Sequence, residues 1–157
     1  KSLLDEMLSA ANLAPSWKNS QTPRFYVATG EKSKNAVREA LPEFNRKNSE
    51  NASAYIVTTV VLNRSGFDKD GTAVTEIGNG WGYYDLGLNN MALLLKATEL
   101  GISTLVMGIR DGEKLRKEFD IPETEAVVSV IAVGYTDSEI VRPKRKSVED
   151  FAKFYEE

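Results

Sequence analysis

The sequence contains no cysteine and no histidine among its 157 residues. Without cysteine, the chain cannot form disulfide bonds, thiolate nucleophiles or cysteine-ligated zinc and iron–sulfur sites. Without histidine, it cannot form a Ser-His-Asp triad, the commonest metal sites or an imidazole acid–base catalyst. An enzyme built from this chain must therefore move protons with a carboxylate, a lysine or a tyrosine, or bind an organic cofactor that carries the chemistry.

The sequence also lacks the features of membrane, secreted and nucleic-acid-binding proteins. No apolar run approaches the ~18 residues of a membrane span, and no signal-peptide pattern is present. The net charge is −3, and no basic footprint for nucleic acid is visible. With 41% hydrophobic and 27% charged residues, the composition is typical of one globular domain, here spanning 1–157. We therefore expect a cytoplasmic protein with no metal and no membrane or nucleic-acid partner.

Hydrophobic periodicity predicts helices and strands in alternation along the chain. Apolar residues recur at helical spacing in four segments, and β-branched or aromatic residues concentrate in four shorter ones. Three of the predicted strands are almost continuously apolar, as expected for strands buried on both faces. This order predicts an α/β or α+β domain with a sheet between helices. The predicted helices cover 2–14, 31–41, 81–100 and 111–119, and the predicted strands cover 24–29, 54–62, 102–107 and 126–134.

The segment 81–100 gives the strongest helical pattern. A helix that is apolar on most sides is expected to lie at the centre of the core. Further along the chain, the Ser-x-x-Asp pattern that begins at Ser147 predicts the start of a final helix. The face of the long helix that is predicted to be buried comprises Tyr84, Leu88, Met91, Leu94, Leu95 and Thr98.

The connection 14–23 between the first helix and the first strand is rich in polar groups. It combines Pro15 with two hydroxyls, two amides, a lysine and a tryptophan. Such a loop can offer several hydrogen bonds to one flat polar ligand, and functional residues concentrate in loops. An ordinary helix-to-strand turn with solvated side chains explains the same residues.

Three other segments are candidates for ligand contacts, although no phosphate-binding glycine motif is present. Lys144 and Arg145 lie in a basic cluster that can bind a phosphate or balance an acidic protein. Gly108 follows Met107 at the end of a predicted strand, where it permits close backbone approach to a ligand or simply makes a turn. The segment 63–80 is long enough to be a lid, a binding loop or a locally disordered region.

The order and spacing of these motifs resemble the FMN-dependent nitroreductase family over nearly the whole chain. Each motif is modest alone, and their combination is fairly specific. The motifs are Ala-Pro-Ser-x-x-Asn-x-Gln from Ala14 followed by Arg24-Phe25, Tyr84-Asp85-x-Gly87, Glu99-Leu100-Gly101, Met107-Gly108, Leu115 to Pro122, Val133-Gly134-Tyr135, and Arg145 before Ser147-Val148-Glu149.

The resemblance implies an α+β fold with a central, mostly antiparallel sheet flanked by helices, in an intertwined homodimer. It also implies an oxidoreductase that binds FMN between the subunits. Hydride from NADH or NADPH would pass through the flavin to a nitroaromatic, quinone or similar flat acceptor by a ping-pong mechanism. No protein side chain would act as a catalytic group, because the chemistry takes place on the flavin.

The resemblance also implies positions for the cofactor contacts. Pro15, Ser16 and Asn19 would approach the flavin ring from one subunit, and Gln21 would support their loop. Backbone groups of Met107 and Gly108 would face the other edge of the ring. The flavin phosphate would be held by Arg145 together with Lys144.

The sequence departs from the family pattern at its N-terminal end. Family members usually carry an Arg-x-Ser-x-Arg phosphate-binding segment just before the first helix, and this chain begins at Lys1. We expect the arm to be missing from the sequence through trimming. A flavin- or ligand-binding protein of the same fold without catalytic turnover is the alternative that this departure motivates.

Overall fold

The computed structural model of the chain describes residues 1–139 and 141–156. Four antiparallel strands form one sheet in the order β1-β2-β4-β3. The predicted α+β class and antiparallel sheet are confirmed. The strands are β1 (Pro23–Ala28), β2 (Ala54–Val61), β3 (Ser103–Met107) and β4 (Glu125–Gly134), and the helices are α1 (Ser2–Asn12), α2 (Glu31–Glu39), α3 (Glu43–Asn48), α4 (Gly80–Glu99) and α5 (Gly112–Glu118).

Strand β2 lies in the middle of the sheet and is buried on both faces. Its side chains alternate between two cores, because successive residues of a strand point to opposite faces. Tyr55 and Val57 belong to the core beneath α2 and α5. Ile56 belongs to the core beneath α1 and α4, where it pairs in register with Ile131 of β4. The nearly continuous apolar sequence of β2 follows from these two cores.

Helices α1 and α4 pack against each other and cover one face of the sheet. Met7 and Ala11 of α1 meet Leu93 and Ala97 of α4, and all four residues are fully buried. This layer fixes the start of the connection 14–23, hereafter the polar loop, because α1 ends at Asn12 and the chain must then return to β1. The loop therefore lies beside the N-terminal half of α4.

The predicted buried face of the long helix is largely exposed in a single chain, and of its residues only Leu88 and Leu94 are partly buried. Tyr84, Met91 and Leu95 are 59%, 52% and 59% exposed. The face that packs inward is the neighbouring one, with buried residues at three- and four-residue spacing. It consists of Gly82, Asp85, Leu86, Asn89, Leu93 and Ala97.

Two other expectations are corrected. Strand β3 is an edge strand, and Leu105 and Val106 in its middle are exposed rather than buried. The final helix predicted from Ser147 is only a 3₁₀ turn over Val148–Asp150, although Ser147 and Asp150 do form the reciprocal capping bonds. Helix α3 was not predicted from the sequence.

A buried carboxylate on β4 is satisfied by hydroxyls from β1 and β2. The Tyr26 hydroxyl of β1 donates to Glu125 Oε2 at 2.9 Å, and the Thr59 hydroxyl of β2 donates to the same oxygen. Glu125 is 6% exposed. Burial, together with the hydrogen bond to this carboxylate, raises the pKa of Tyr26 from 10.0 to about 12.

The raised pKa of Tyr26 predicts a loss of stability in alkali. Its contribution is complete below pH 10.0 and is lost as the pH rises towards about 12, because the unfolded chain releases the proton first. Across this pH range, the free energy of unfolding of the wild type should fall by on the order of 1–2 kcal/mol more than that of Tyr26→Phe. Denaturant titrations of both proteins between these pH values test this. A difference between the two proteins that does not change with pH contradicts it.

Candidate functional site

The polar loop between α1 and β1 forms one side of an open cleft of about 560 Å³. Ser16, Asn19 and Gln21 all line this cleft, and Pro15 directly precedes Ser16 in the loop. The structure therefore brings together three of the predicted cofactor-binding residues. The rest of the lining includes side chains from α1, β1, α4 and the segment after β2, among them Asn12, Phe25, Arg64 and Asn89.

The backbone of this loop is unusual. Lys18, Asn19 and Gln21 have φ angles of 45°, 55° and 48°. Non-glycine residues enter this left-handed region at a cost of about 1–2 kcal/mol each, and asparagine tolerates it best. Strained backbone of this kind persists only where neighbouring groups hold it, and it concentrates at functional sites. The ordinary-turn interpretation of the loop does not explain three such residues within four positions.

Local hydrogen bonds close the C-terminal half of the loop. The Gln21 N–H donates to Ser16 Oγ at 3.0 Å. The Arg24 Nη1 donates to the carbonyl oxygens of Gln21 and Pro23 at 2.7 and 2.8 Å. The backbone of Gln21 therefore helps to close the loop, and the role of its side chain stays a prediction. Arg24 was not among the predicted site residues, because its role depends on carbonyls that only the folded loop presents.

The charge of the cleft is positive. Among the residues that the structure describes, its lining contains two arginines, Arg24 and Arg64, and no carboxylate. The other polar groups are hydroxyls and amides, which can both donate and accept hydrogen bonds. Such a donor set suits a ligand that carries carbonyl oxygens and a negative charge.

Trp17 of the polar loop belongs to an aromatic cluster with two side chains of α4. The rings of Trp17 and Trp81 are 4.7 Å apart between centroids, and Tyr84 meets Trp81 edge-on at 5.8 Å. Because Tyr84 is largely exposed, this cluster offers an aromatic surface next to the polar loop. Flat aromatic molecules bind well to surfaces of this kind.

The segment after β2 packs against this aromatic cluster. The Trp81 Nε1 donates to Thr75 Oγ1 at 2.7 Å, and Lys18 pairs with Asp68 at 3.3 Å. Gly66 lies in the left-handed region at a φ of 84°, and a Cβ there would come within 2.6 Å of the Gly78 carbonyl oxygen. The segment is thus folded against the polar loop, and its role as a lid or binding loop stays a prediction.

The other predicted contacts lie apart from this cleft in a single chain. Met107 is buried in the core beneath α2 and α5, and the exposed Gly108 follows it. The Asn45 side chain of α3 donates to the carbonyl oxygen of Ile109 at 3.2 Å, which fixes the backbone after Gly108. Sequence reasoning missed Asn45 because α3 has no apolar periodicity.

Lys144 and Arg145 lie in the exposed C-terminal segment that follows β4. Neither residue lines the cleft of the polar loop. One copy of the chain therefore assembles only the part of the predicted site that Ser16, Asn19 and Gln21 form.

Two negative findings apply to residues 1–139 and 141–156. They contain no group of three or more acidic side chains placed to hold a metal ion. None of their helices has both the length and the hydrophobicity that crossing a membrane requires.

Comparison with protein families gives one result that covers most of the chain. The family model described as the nitroreductase family matches residues 1–135. No curated protein sequence matches the chain.

Solved structures share the fold. A nitroreductase family protein from Streptococcus pneumoniae TIGR4 is 20% identical, with a TM-score of 0.82 over 98% of this chain and 89% of that chain. An oxidoreductase containing FMN is 25% identical, with a TM-score of 0.74 over 88% of this chain and 68% of that chain. An enone reductase of gut-bacterial fatty acid saturation is 20% identical, with a TM-score of 0.84 over 98% of this chain and 87% of that chain.

Proposed function

Because this chain belongs to the nitroreductase family, we propose that it is an FMN-dependent oxidoreductase driven by NADH or NADPH. Its acceptors are flat, reducible small molecules such as nitroaromatics and quinones. Donor and acceptor use the same site in turn, which gives ping-pong kinetics. We further propose that residues 1–157 form one domain and that the protein is cytoplasmic.

The residues at the cleft fit a flavin. The isoalloxazine ring presents carbonyl oxygens at one edge and an apolar face, and FMN carries a phosphate. Ser16, Asn19 and Gln21 supply hydroxyl and amide groups, and the described part of the chain gives the cleft two arginines and no carboxylate. The single observation that carries the proposal is this strained loop, whose polar groups line a positively charged cleft beside an aromatic surface.

A bound flavin supplies the redox chemistry, since it accepts hydride from a reduced nicotinamide and passes electrons to an acceptor. The chain's own residues bind and orient. Hydrogen-bond donors near the pyrimidine edge of the ring would favour the reduced, negatively charged form and so raise its reduction potential. The Trp17 and Trp81 cluster excludes water and offers apolar surface to a flat acceptor.

We propose that two copies of the chain complete each site as an intertwined homodimer. The loop of one copy would face the backbone of Met107 and Gly108 of the other. The exposed face of α4 supports this arrangement, since monomers rarely expose large contiguous apolar patches. Leu95 of that face and the exposed Leu13 line one shallow groove between α1 and α4. Exposed aromatic residues also mark the C-terminal segment, namely Phe151, Phe154 and Tyr155.

Flavin titration followed by turnover assays tests the proposed function. We expect the purified protein to bind FMN and to oxidise NADH or NADPH when a quinone or nitroaromatic is added. FMN binding without turnover, with either nicotinamide and any acceptor, would identify a flavin-binding protein without catalytic activity. A protein that binds no FMN contradicts both functions.

The basic cluster gives a prediction about the phosphate. Arg145→Ala should weaken FMN binding by about tenfold or more, because a charge-assisted contact to phosphate contributes about 1.5–3 kcal/mol. Riboflavin, which lacks the phosphate, should bind both proteins alike. Lys146→Ala removes one positive charge from the adjacent position and serves as the matched control. Equal FMN affinity of the two variants would rule out Arg145 as the phosphate ligand.

A further inference from the structure

One carboxylate beneath the polar loop has no part in the site described so far. Asp85 lies in the first half of α4 and is only 2% exposed. A carboxylate this deeply buried is costly unless it accepts hydrogen bonds. None of the ion pairs among residues 1–139 and 141–156 includes Asp85. Its partners are therefore uncharged donors.

The donors come from the two segments that surround the aromatic cluster. The backbone N–H of Trp17 lies 3.1 Å from each carboxylate oxygen of Asp85. The Ser65 hydroxyl donates to Oδ2 at 2.5 Å. These partners are separated from Asp85 by 68 and 20 residues in sequence. A single side chain of α4 thus holds both the polar loop and the segment after β2.

The backbone carbonyl of Asp85 extends this connection to the cleft. It accepts a hydrogen bond from Asn89 Nδ2 at 3.1 Å, and Asn89 lines the cleft. The helix turn that follows Asp85 therefore reaches the cleft that the polar loop lines.

The strain in the polar loop explains why such an anchor is needed. The left-handed residues Lys18 and Asn19 directly follow Trp17. Their conformation is unfavourable, and it persists only if both ends of the strained stretch are held. Gln21 is held at the C-terminal end by Ser16 Oγ. At the N-terminal end, the Trp17 N–H is held by Asp85. Without that bond, the loop is free to relax and to move the polar groups of Ser16 and Asn19.

We propose that Asp85 is a positioning residue of the flavin site, which acts by holding the strained loop through the Trp17 N–H. This role rests on the proposed function. Asp85 does not touch the flavin. It sets the direction of the Ser16 and Asn19 side chains, and through Ser65 it also fixes the segment that packs on the aromatic cluster.

The first test compares FMN affinity across substitutions of Asp85. Asp85→Ala should raise the FMN dissociation constant by about 10- to 100-fold, because the Trp17 N–H loses a charged acceptor. Asp85→Asn keeps one oxygen that can accept this N–H and should restore part of the affinity. Ser65→Ala removes only the second donor and should stay within about threefold of the wild type. If Asp85→Ala binds FMN as tightly as Ser65→Ala does, the proposal is overturned.

Hydrogen exchange without FMN gives a second readout. Asp85→Ala should speed amide exchange in 14–22 and in 62–79, whereas Ser65→Ala should speed it only in 62–79. A purely structural role would lower the melting temperature and leave both the exchange of 14–22 and the affinity of the folded protein unchanged.

A matched pair at Trp17 tests the proposal with Asp85 in place. Trp17→Ala keeps the backbone N–H, whereas Trp17→Pro removes it. The preceding residue, Ser16, already has the extended backbone that a residue before proline requires. The proline variant should bind FMN at least tenfold more weakly than the alanine variant. Equal binding overturns the role of Asp85. A wild-type protein that fails to bind FMN overturns the proposed function itself, and the flavin role of Asp85 with it.

Discussion

Glutamate at both Met91 and Leu95 should convert the protein to a monomer and abolish FMN binding. Both side chains lie on the exposed face of α4, which we propose to be covered by the second copy. In a symmetric dimer, the double variant would bury four carboxylates without partners. At roughly 3 kcal/mol for each unpaired ion, the dimer dissociation constant should rise by more than about 10⁴-fold. Sedimentation and FMN titration measure the two effects.

A control separates the loss of the interface from the added negative charge. Lys32→Gln with Lys117→Gln lowers the net charge by the same two units at exposed positions of α2 and α5. This control should remain a dimer and bind FMN normally. If the α4 variant stays dimeric, or becomes monomeric and still binds FMN with wild-type affinity, the proposal of a site shared between two copies fails.

Gly82→Ala should destabilise the fold by about 1–3 kcal/mol, the usual cost of overpacking a core. Gly82 is buried where α4 lies on β2, and a Cβ there would come within 2.8 Å of Val60 Cγ2. Real Cβ atoms essentially never make contacts this short, so the Val60 side chain, α4 or β2 must shift. Because Asp85 follows Gly82 by less than one turn, flavin affinity should fall as well. Denaturant unfolding measures the change in stability.

Two comparisons show whether the clash with Val60 causes the loss of stability. Gly112→Ala is the matched control, because a Cβ on this residue of α5 meets only Val127 at 3.8 Å, and alanine favours helix. It should be neutral or stabilising. Val60→Ala removes the clashing methyl, so Gly82→Ala should cost less in that background, as a double-mutant cycle measures. Additive effects of the two changes would contradict the packing explanation.

The sequence predicts the sheet well because two-sided burial leaves a clear pattern. Strands β2 and β4 are almost continuously apolar, and each faces two helical layers. Helix α3 was not predicted, because Glu43–Asn48 contains only one apolar residue and therefore shows no hydrophobic periodicity. The side-chain bond of its Asn45 to Ile109 depends on tertiary contacts.

The error in predicting which face of α4 is buried has a different cause. The helix is apolar on two adjacent faces, and periodicity alone does not separate a face that packs on the same chain from one that packs on another. Tyr84, Met91 and Leu95 resemble core residues because they are suited to burial, although one chain leaves them exposed. The same limit applies to β3, whose exposed middle is apolar.

The candidate site was only partly predictable. Local composition identifies the polar loop, because its hydroxyls and amides are adjacent in sequence. The anchor at Asp85 is not predictable from local pattern, since its donors lie 68 and 20 residues away. The strain at Lys18, Asn19 and Gln21 is likewise visible only in the folded backbone.

Anaerobic titration of the FMN-loaded protein with NADH and with NADPH measures whether the chain is a nicotinamide-dependent flavoenzyme. We expect a yellow protein whose visible flavin absorbance bleaches with one equivalent of reduced nicotinamide per flavin and returns when a quinone is added. Flavin absorbance that neither nicotinamide bleaches, in a protein that holds FMN tightly, would contradict the claim that this chain is a nicotinamide-dependent oxidoreductase.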